Sequence, residues 1–195
     1  NAWNALFTSY SLTTSSSLLL EKHYRTKSFY SDQDQILVRP SISRKISKNA
    51  TLSVGYTYIS NRVGSNRVSE NNLWEQLFVN YPITKSLRGF GWIRAEHRWV
   101  DSGSVNFSTR IRFRNGFTYP LNQKGLNLMA YNEVFLNFSN SFPAQFNQNW
   151  NFIGFSKQLS ERFRLQSGYQ RTSVNKNYGV LAKNIWFTIL FWKLQ

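Results

Sequence analysis

The sequence predicts an all-β fold, a transmembrane antiparallel up-and-down β-barrel of about 10–12 strands. Three observations lead there. Apolar and polar residues alternate with period two from end to end, in runs rich in Val, Ile, Thr, Tyr, Phe and Trp, and no segment sustains apolar residues at helical spacing. No stretch of about 18 uncharged apolar residues occurs, which excludes a membrane-spanning helix. A membrane barrel remains open, because segments of about 10 residues with alternating faces average out as hydrophilic; the mean hydropathy is −0.44. Third, short turn-like connections alternate with longer polar ones, the layout of a barrel with tight periplasmic turns and longer outer loops.

Taken in order, the strand candidates are 2–12, opened by Trp3; 17–26, carrying Glu21, His23 and Arg25; 34–46, with Arg39; and 51–61, with Tyr56 and Tyr58. Next come 72–81, with Trp74 and Tyr81, and 89–100, where Ile93, Ala95 and Trp99 oppose Arg94, Glu96 and Arg98. The clearest is 105–119. Val105, Phe107, Ile111, Phe113, Phe117 and Tyr119 take one face, and Asn106, Ser108, Arg110, Arg112 and Arg114 take the other. The series closes with 126–139, holding Glu133; 149–158; 162–173, where Phe163, Leu165 and Tyr169 oppose Arg164, Gln166 and Gln170; and 179–193.

Short turns are expected at 13–16, 47–49, 82–86, 121–125 and 159–161, and longer loops at 27–33, 62–71, 101–104, 140–148 and 174–178. The count of strands is eleven, whereas single-chain bacterial barrels carry an even number. The short 2–12 and the long 179–193 are the least regular members, so the expectation stands at ten to twelve. A barrel of that size is narrow enough for side chains to fill.

Composition narrows the class. The chain has 195 residues, 24 Lys+Arg against 9 Asp+Glu, a formal net charge of +15, 41% hydrophobic and 17% aromatic residues, which is too apolar for a disordered basic protein. The length suits a single barrel domain over 1–195. With no Cys, disulfide scaffolds, thiolate zinc sites and cysteine nucleophiles are excluded. The start, Asn1-Ala2-Trp3, has neither a basic nor an apolar leader region, and reads as a signal peptide absent or already removed.

Alternation alone does not say which face points inward. Two features favour the membrane sense, with the greasy face outward. Aromatics gather near strand ends (Trp3, Tyr56, Tyr58, Trp74, Tyr81, Trp99, Tyr119, Phe138, Trp150, Tyr178, Trp192), where interfacial girdles would put them. Arginine dominates the polar face, at Arg39, Arg94, Arg98, Arg110, Arg112, Arg114 and Arg164, among few acids: Glu21, Glu96 and Glu133. Lysines such as Lys22, Lys45, Lys85, Lys124, Lys157 and Lys193 fall mostly in turns or near strand ends, where a long cation can snorkel. An Arg–Glu ladder is the expected filling of the lumen, since guanidinium forks match carboxylates. Its structural reading is a packed interior; its functional reading is an anion-preferring path.

A family resemblance runs through these positions. Tyr131-Asn132-Glu133-Val134-Phe135-Leu136, Phe146-Asn147-Gln148-Asn149-Trp150 and Ser167-Gly168-Tyr169-Gln170 resemble the second half of an uncharacterised family of Gram-negative outer-membrane proteins, a domain of unknown function frequent in Bacteroidota. Trp3, Glu21 with Arg25, Arg39-Pro40, Gly55-Tyr56, and Glu96-His97-Arg98 followed by Arg110, Arg112 and Arg114 are similar to its first half. The resemblance covers essentially the whole chain and implies a β-barrel in the bacterial outer membrane, with no established activity. Two places depart from it: Asn147-Gln148-Asn149-Trp150 where the family more often has Asp-Gln-Asn-Arg, which removes an ion pair, and the end Phe191-Trp192-Lys193-Leu194-Gln195 in place of a terminal aromatic.

Chemistry is sparse. Of two histidines, His97 and Glu96 are strand neighbours and point to opposite faces, so they form no pair; His23 shares a face with Glu21 and Arg25. No nucleophile motif accompanies either, which argues against an outer-membrane lipid hydrolase and against any enzyme. Two His, no Cys and dispersed carboxylates give no metal cluster, and no cofactor is expected. Nucleic-acid binding fails on distribution, because the arginines alternate along strands that also carry a complete apolar face. The expected function is that of a porin-like membrane barrel: either a structural or accessory subunit of an envelope complex, or a narrow anion-preferring pore. Outer-membrane lipid, lipopolysaccharide at the cationic rim and other envelope proteins are the expected partners. The alternatives are a soluble basic barrel that binds an acidic ligand and, though without a nucleophile motif, an outer-membrane lipid hydrolase.

Overall fold

In the computed structural model, which describes all residues except 30, 140, 141, 177, 178 and 195 and only the backbone of 142–144, the chain is a closed barrel of eleven strands. They are β1 (Ala2–Ser11), β2 (Ser16–Thr26), β3 (Gln33–Lys45), β4 (Ala50–Val63), β5 (Asn66–Pro82), β6 (Arg88–Asp101), β7 (Val105–Pro120), β8 (Leu126–Ser139), β9 (Phe142–Gln158), β10 (Phe163–Lys176) and β11 (Gly179–Lys193). Every consecutive pair is antiparallel, and β1 closes on β11 in parallel, from Ala2 opposite Trp186 to Ser9 opposite Lys193. The parallel seam follows from the count. After ten reversals the eleventh strand runs in the direction of the first, so only a parallel ladder can join them.

Connections at one end share a device. Thr13 Oγ1 accepts from the Ser15 and Ser16 amides (3.2 and 2.9 Å), Ser47 Oγ from Asn49 and Ala50 (3.2 and 3.0 Å), and Thr84 Oγ1 from Ser86 and Leu87 (3.3 and 3.0 Å). Asn122 Oδ1 accepts from Lys124 and Leu126 (3.0 and 3.2 Å), and Ser160 Oγ from Arg162 and Phe163 (3.3 and 3.2 Å). In each turn a side-chain oxygen placed just after the strand satisfies amides that the reversal leaves without a ladder partner.

The opposite end departs from expectation. Residues 62–71 form no long loop: β4 and β5 run on to pair Val63 with Asn66, and Gly64, at φ +63°, makes the reversal. Likewise 142–148 of the presumed loop 140–148 belong to β9, while 140, 141 and Tyr178 lie outside the described residues. A ladder needs only backbone hydrogen bonds, so strands polar on both faces continue past the point where apolar alternation stops. Connection length therefore does not distinguish the two ends of this barrel.

Burial sorts the faces. The outer wall is apolar, with Leu52, Val54, Leu73, Ile93, Phe113, Ile153, Phe155 and Trp186 among its exposed residues. The interior has two sectors. Trp3, Phe135, Trp150, Phe152, Ile185, Phe187 and Ile189, from β1, β8, β9 and β11, form a continuous apolar cluster. Opposite it, β2 to β8 bring in Glu21, Arg39, Thr57, Glu70, Asn72, Arg94, Glu96, Arg112 and Glu133, all buried.

Three tryptophans expected in an interfacial girdle face inward instead: Trp3, Trp74 and Trp150 are buried, whereas Tyr56, Tyr58, Tyr81, Tyr119 and Trp192 are outward and exposed. Small residues make the room. A Cβ on Gly55 would lie 2.5 Å from the Trp74 ring, and Gly154 and Gly168 face each other beneath Phe152. Lys22, expected near a rim, lies mid-strand on the outer wall.

Candidate functional site: the charged sector of the barrel interior

The site is built on β7. Its period-two run places Arg110, Arg112 and Arg114 on one face, between β6 and β8, whose inward faces offer Glu96 and Glu133. Glu96 receives Arg110 Nε at 2.6 Å and Arg112 Nη1 at 2.7 Å. Glu133 receives Arg112 Nε at 2.7 Å and Nη2 at 2.5 Å on one oxygen, and Arg114 Nε at 2.9 Å on the other. Arg112 thus bridges the two carboxylates. Both glutamates are fully buried (0%).

The ladder continues sideways. Arg98 grips Glu70 with both arms of its fork, Nε at 2.7 Å and Nη2 at 2.9 Å, while Arg110 Nη2 lies 3.9 Å from the same carboxylate. On the other flank Glu21 binds Arg39 Nη1 at 2.8 Å and His23 Nε2 at 3.3 Å, and Arg39 Nε donates to Thr57 Oγ1 at 2.9 Å. Arg94 donates to Gln76 Oε1 at 2.9 Å and lies 3.9 Å from Glu96.

Aromatic rings carry the charge left over. The Arg114 guanidinium sits 3.9 Å from the Tyr131 ring, Arg112 4.5 Å from Phe135, Arg94 4.3 Å from Trp74, Arg25 3.8 Å from Trp3 and Arg164 3.8 Å from Phe191. Among the described residues neither Arg25 nor Arg164 makes a carboxylate contact; Arg25 donates to Gln35 Oε1 at 2.6 Å. Among the described residues, eight inward arginines (25, 39, 94, 98, 110, 112, 114, 164) stand against four inward glutamates (21, 70, 96, 133), so the sector is cationic. Arg94 Nη1 and Arg25 Nε are buried with no hydrogen-bond partner among the described residues.

All eleven residues that the sequence singles out, Glu21, Arg25, Arg39, Arg94, Glu96, Arg98, Arg110, Arg112, Arg114, Glu133 and Arg164, thus come from inward-facing strand positions. Glu96, Glu133 and the three β7 arginines meet directly. Arg25 does not reach Glu21, and Arg164 stays apart at the turn end of β10. Sequence reasoning missed Glu70, because it fell in the presumed loop 62–71; it shares parity with Asn72 and Trp74, which would have placed it inside.

The histidines separate as strand parity requires. His97 is outward, 3.4 Å from Glu75, and His23 is inward beside Glu21. Among the described residues neither histidine hydrogen-bonds a Ser or Thr hydroxyl, and no group of three metal-ligating side chains occurs.

Comparison with known proteins places this barrel. No solved structure matches the chain. An uncharacterized protein of Methylorubrum extorquens is 23% identical over 144 residues, covering 71% of this chain and 63% of that protein, so the chain spans less than two thirds of that relative's length. A family profile described as "Protein of unknown function (DUF2490)" matches residues 1–181, and the chain, with its closed barrel and Arg–Glu interior, belongs to that family.

Proposed function

We propose that the protein is an outer-membrane barrel without enzymatic activity, whose interior is sealed and which serves as a structural or accessory subunit of an envelope complex. The observation that carries this reading is the inversion of the usual order: the wall exposes Leu52, Ile93, Phe113, Ile153 and Trp186 while Glu96 and Glu133 have no exposure at all. Water rejects such a wall, whereas a bilayer requires it, since a charged residue facing hydrocarbon costs about 2–4 kcal/mol at mid-depth. The seal follows from the same arrangement. Arg112 packs on Phe135 and Trp150 and Arg114 on Tyr131, so ion pairs and rings fill the interior, and a barrel filled by its own side chains conducts poorly.

The eight-to-four excess of inward arginine favours a second reading, a narrow anion-preferring pore. Planar-bilayer recording of the detergent-purified barrel separates the two. Insertion without steady conductance is the expected result. Stable anion-selective steps that disappear when Arg110, Arg112 and Arg114 are replaced by Gln would establish the pore instead, and a chain that stays monodisperse without detergent would overturn the membrane location itself.

A further inference from the structure

A polar row crosses four neighbouring strands of the outer wall, where the membrane reading would have only hydrocarbon partners. Asn115 of β7 stands opposite Asn132 of β8, Asn132 opposite Asn151 of β9, and Asn151 opposite Arg171 of β10. Parity turns all four outward. The row is hydrogen-bonded within itself: Tyr81 Oη donates to Asn115 Oδ1 at 2.8 Å, Asn132 Nδ2 to Asn151 Oδ1 at 2.8 Å, and Asn151 Nδ2 to Asn149 Oδ1 at 2.7 Å. Arg171 is exposed and makes no hydrogen bond or ion pair among the described residues. One row nearer the turns the partners are Phe117, Ala130, Ile153 and Tyr169, again in register. Ala130 is the low point between larger neighbours, and a groove of about 640 Å³ opens there, bounded by Tyr81 on one side and Tyr169 on the other, with Arg171 at its upper end.

From this, and resting on the membrane reading above, we infer that the groove holds one membrane lipid with a phosphate headgroup, its acyl chain lying over Ala130 and its phosphate on Arg171. Each half of the site has a physical reason. A five-donor guanidinium on a surface with no carboxylate beside it is costly in a bilayer unless an anion meets it, and a phosphate matches its fork. Asn115 Oδ1 is taken by the Tyr81 hydroxyl and Asn151 Oδ1 by Asn132, which leaves the amide N–H groups of Asn115 to add donors. The groove below is apolar and sized for a chain: Phe117, Ile153 and Tyr169 are 38, 54 and 40% exposed, an apolar surface with nothing of this chain covering it.

Native mass spectrometry of the detergent-solubilised barrel tests the site, with phosphatidylglycerol as the probe and a neutral diacylglycerol as its control. One phosphatidylglycerol per barrel is expected to be retained in preference to diacylglycerol. Retention should fall at least tenfold in both Arg171→Gln, which removes the anion partner, and Ala130→Phe, which fills the groove. Both positions are on the outer wall, so each variant should keep the wild-type heat-modifiable mobility. Equal retention of the two lipids, retention unaffected by either substitution, or a mass corresponding to two barrels joined through this face would each overturn the inference. Failure of the membrane reading is read separately, as a chain that needs no detergent.

Discussion

Arg112 of β7 holds Glu133 of β8 through two N–H groups on one carboxylate oxygen, Nε at 2.7 Å and Nη2 at 2.5 Å, while its third arm reaches Glu96 of β6 at 2.7 Å. One side chain therefore ties three neighbouring strands from inside. Removing Glu133 leaves Arg114 without a carboxylate and Arg112 with Glu96 alone in a site closed to water, so Glu133→Gln should destabilise the barrel by about 3–5 kcal/mol. Asp32→Asn, on the exposed loop-end pair with Arg62, should change it by less than about 1 kcal/mol. Urea midpoints of the refolded protein in detergent measure both, and equal effects would contradict a ladder that carries the fold.

The inward tryptophans give an optical test of which face is which. In single-tryptophan variants on the proposed membrane reading, Trp186 and Trp192, 48 and 37% exposed, should be quenched by brominated lipid chains, whereas Trp74, 3% exposed and covered by Arg94, should not be. Quenching of Trp74 as strong as that of Trp186 would mean the wall and the interior are reversed.

Room for those rings depends on glycine. A Cβ at Gly55 would meet the Trp74 ring at 2.5 Å, the Pro40 carbonyl at 2.7 Å and Ser41 Cβ at 2.7 Å, two of them too rigid to yield. Gly55→Ala is expected to cost about 1–3 kcal/mol and to alter the near-ultraviolet dichroism of Trp74. Ser53→Ala, two residues away on the same face, serves as the control and should leave that band unchanged.

Much of this was legible in the sequence, and the failures share a cause. The run 105–119 gave β7 almost to the residue, because its outward face is apolar and its inward face basic, so the period is visible in hydropathy. The same method stopped β5 at 72 and β9 at 149, although the strands begin at Asn66 and Phe142, because Asn66, Arg67, Ser69 and Glu70 show no apolar alternation while their backbones still pair. Glu70 was lost with that segment. Trp3, Trp74 and Trp150 were placed on the girdle because sequence gives the parity of a strand and not the volume behind it; Gly55 on the neighbouring strand makes the room for Trp74, and nothing in β5 itself announces it.

The parallel seam is the feature of this barrel most open to direct test. Leu6 of β1 and Leu190 of β11 stand opposite each other, both on the outward parity of their strands, and the chain has no cysteine of its own. Neighbouring strands are about 4.8 Å apart, within the range a disulfide spans. The Leu6→Cys, Leu190→Cys variant should therefore oxidise within one chain, and a bond closing nearly the whole sequence should stabilise the barrel by about 5 kcal/mol in the chain-entropy account. On gel electrophoresis under non-reducing conditions the oxidised form should resist heat unfolding, and reductant should restore wild-type behaviour. Leu6→Cys paired with Phe187→Cys, which lies three register steps away and faces inward, should stay reduced. If that mismatched pair cross-links and the matched pair does not, β1 and β11 do not meet in the register described, and the eleven-stranded closure is wrong.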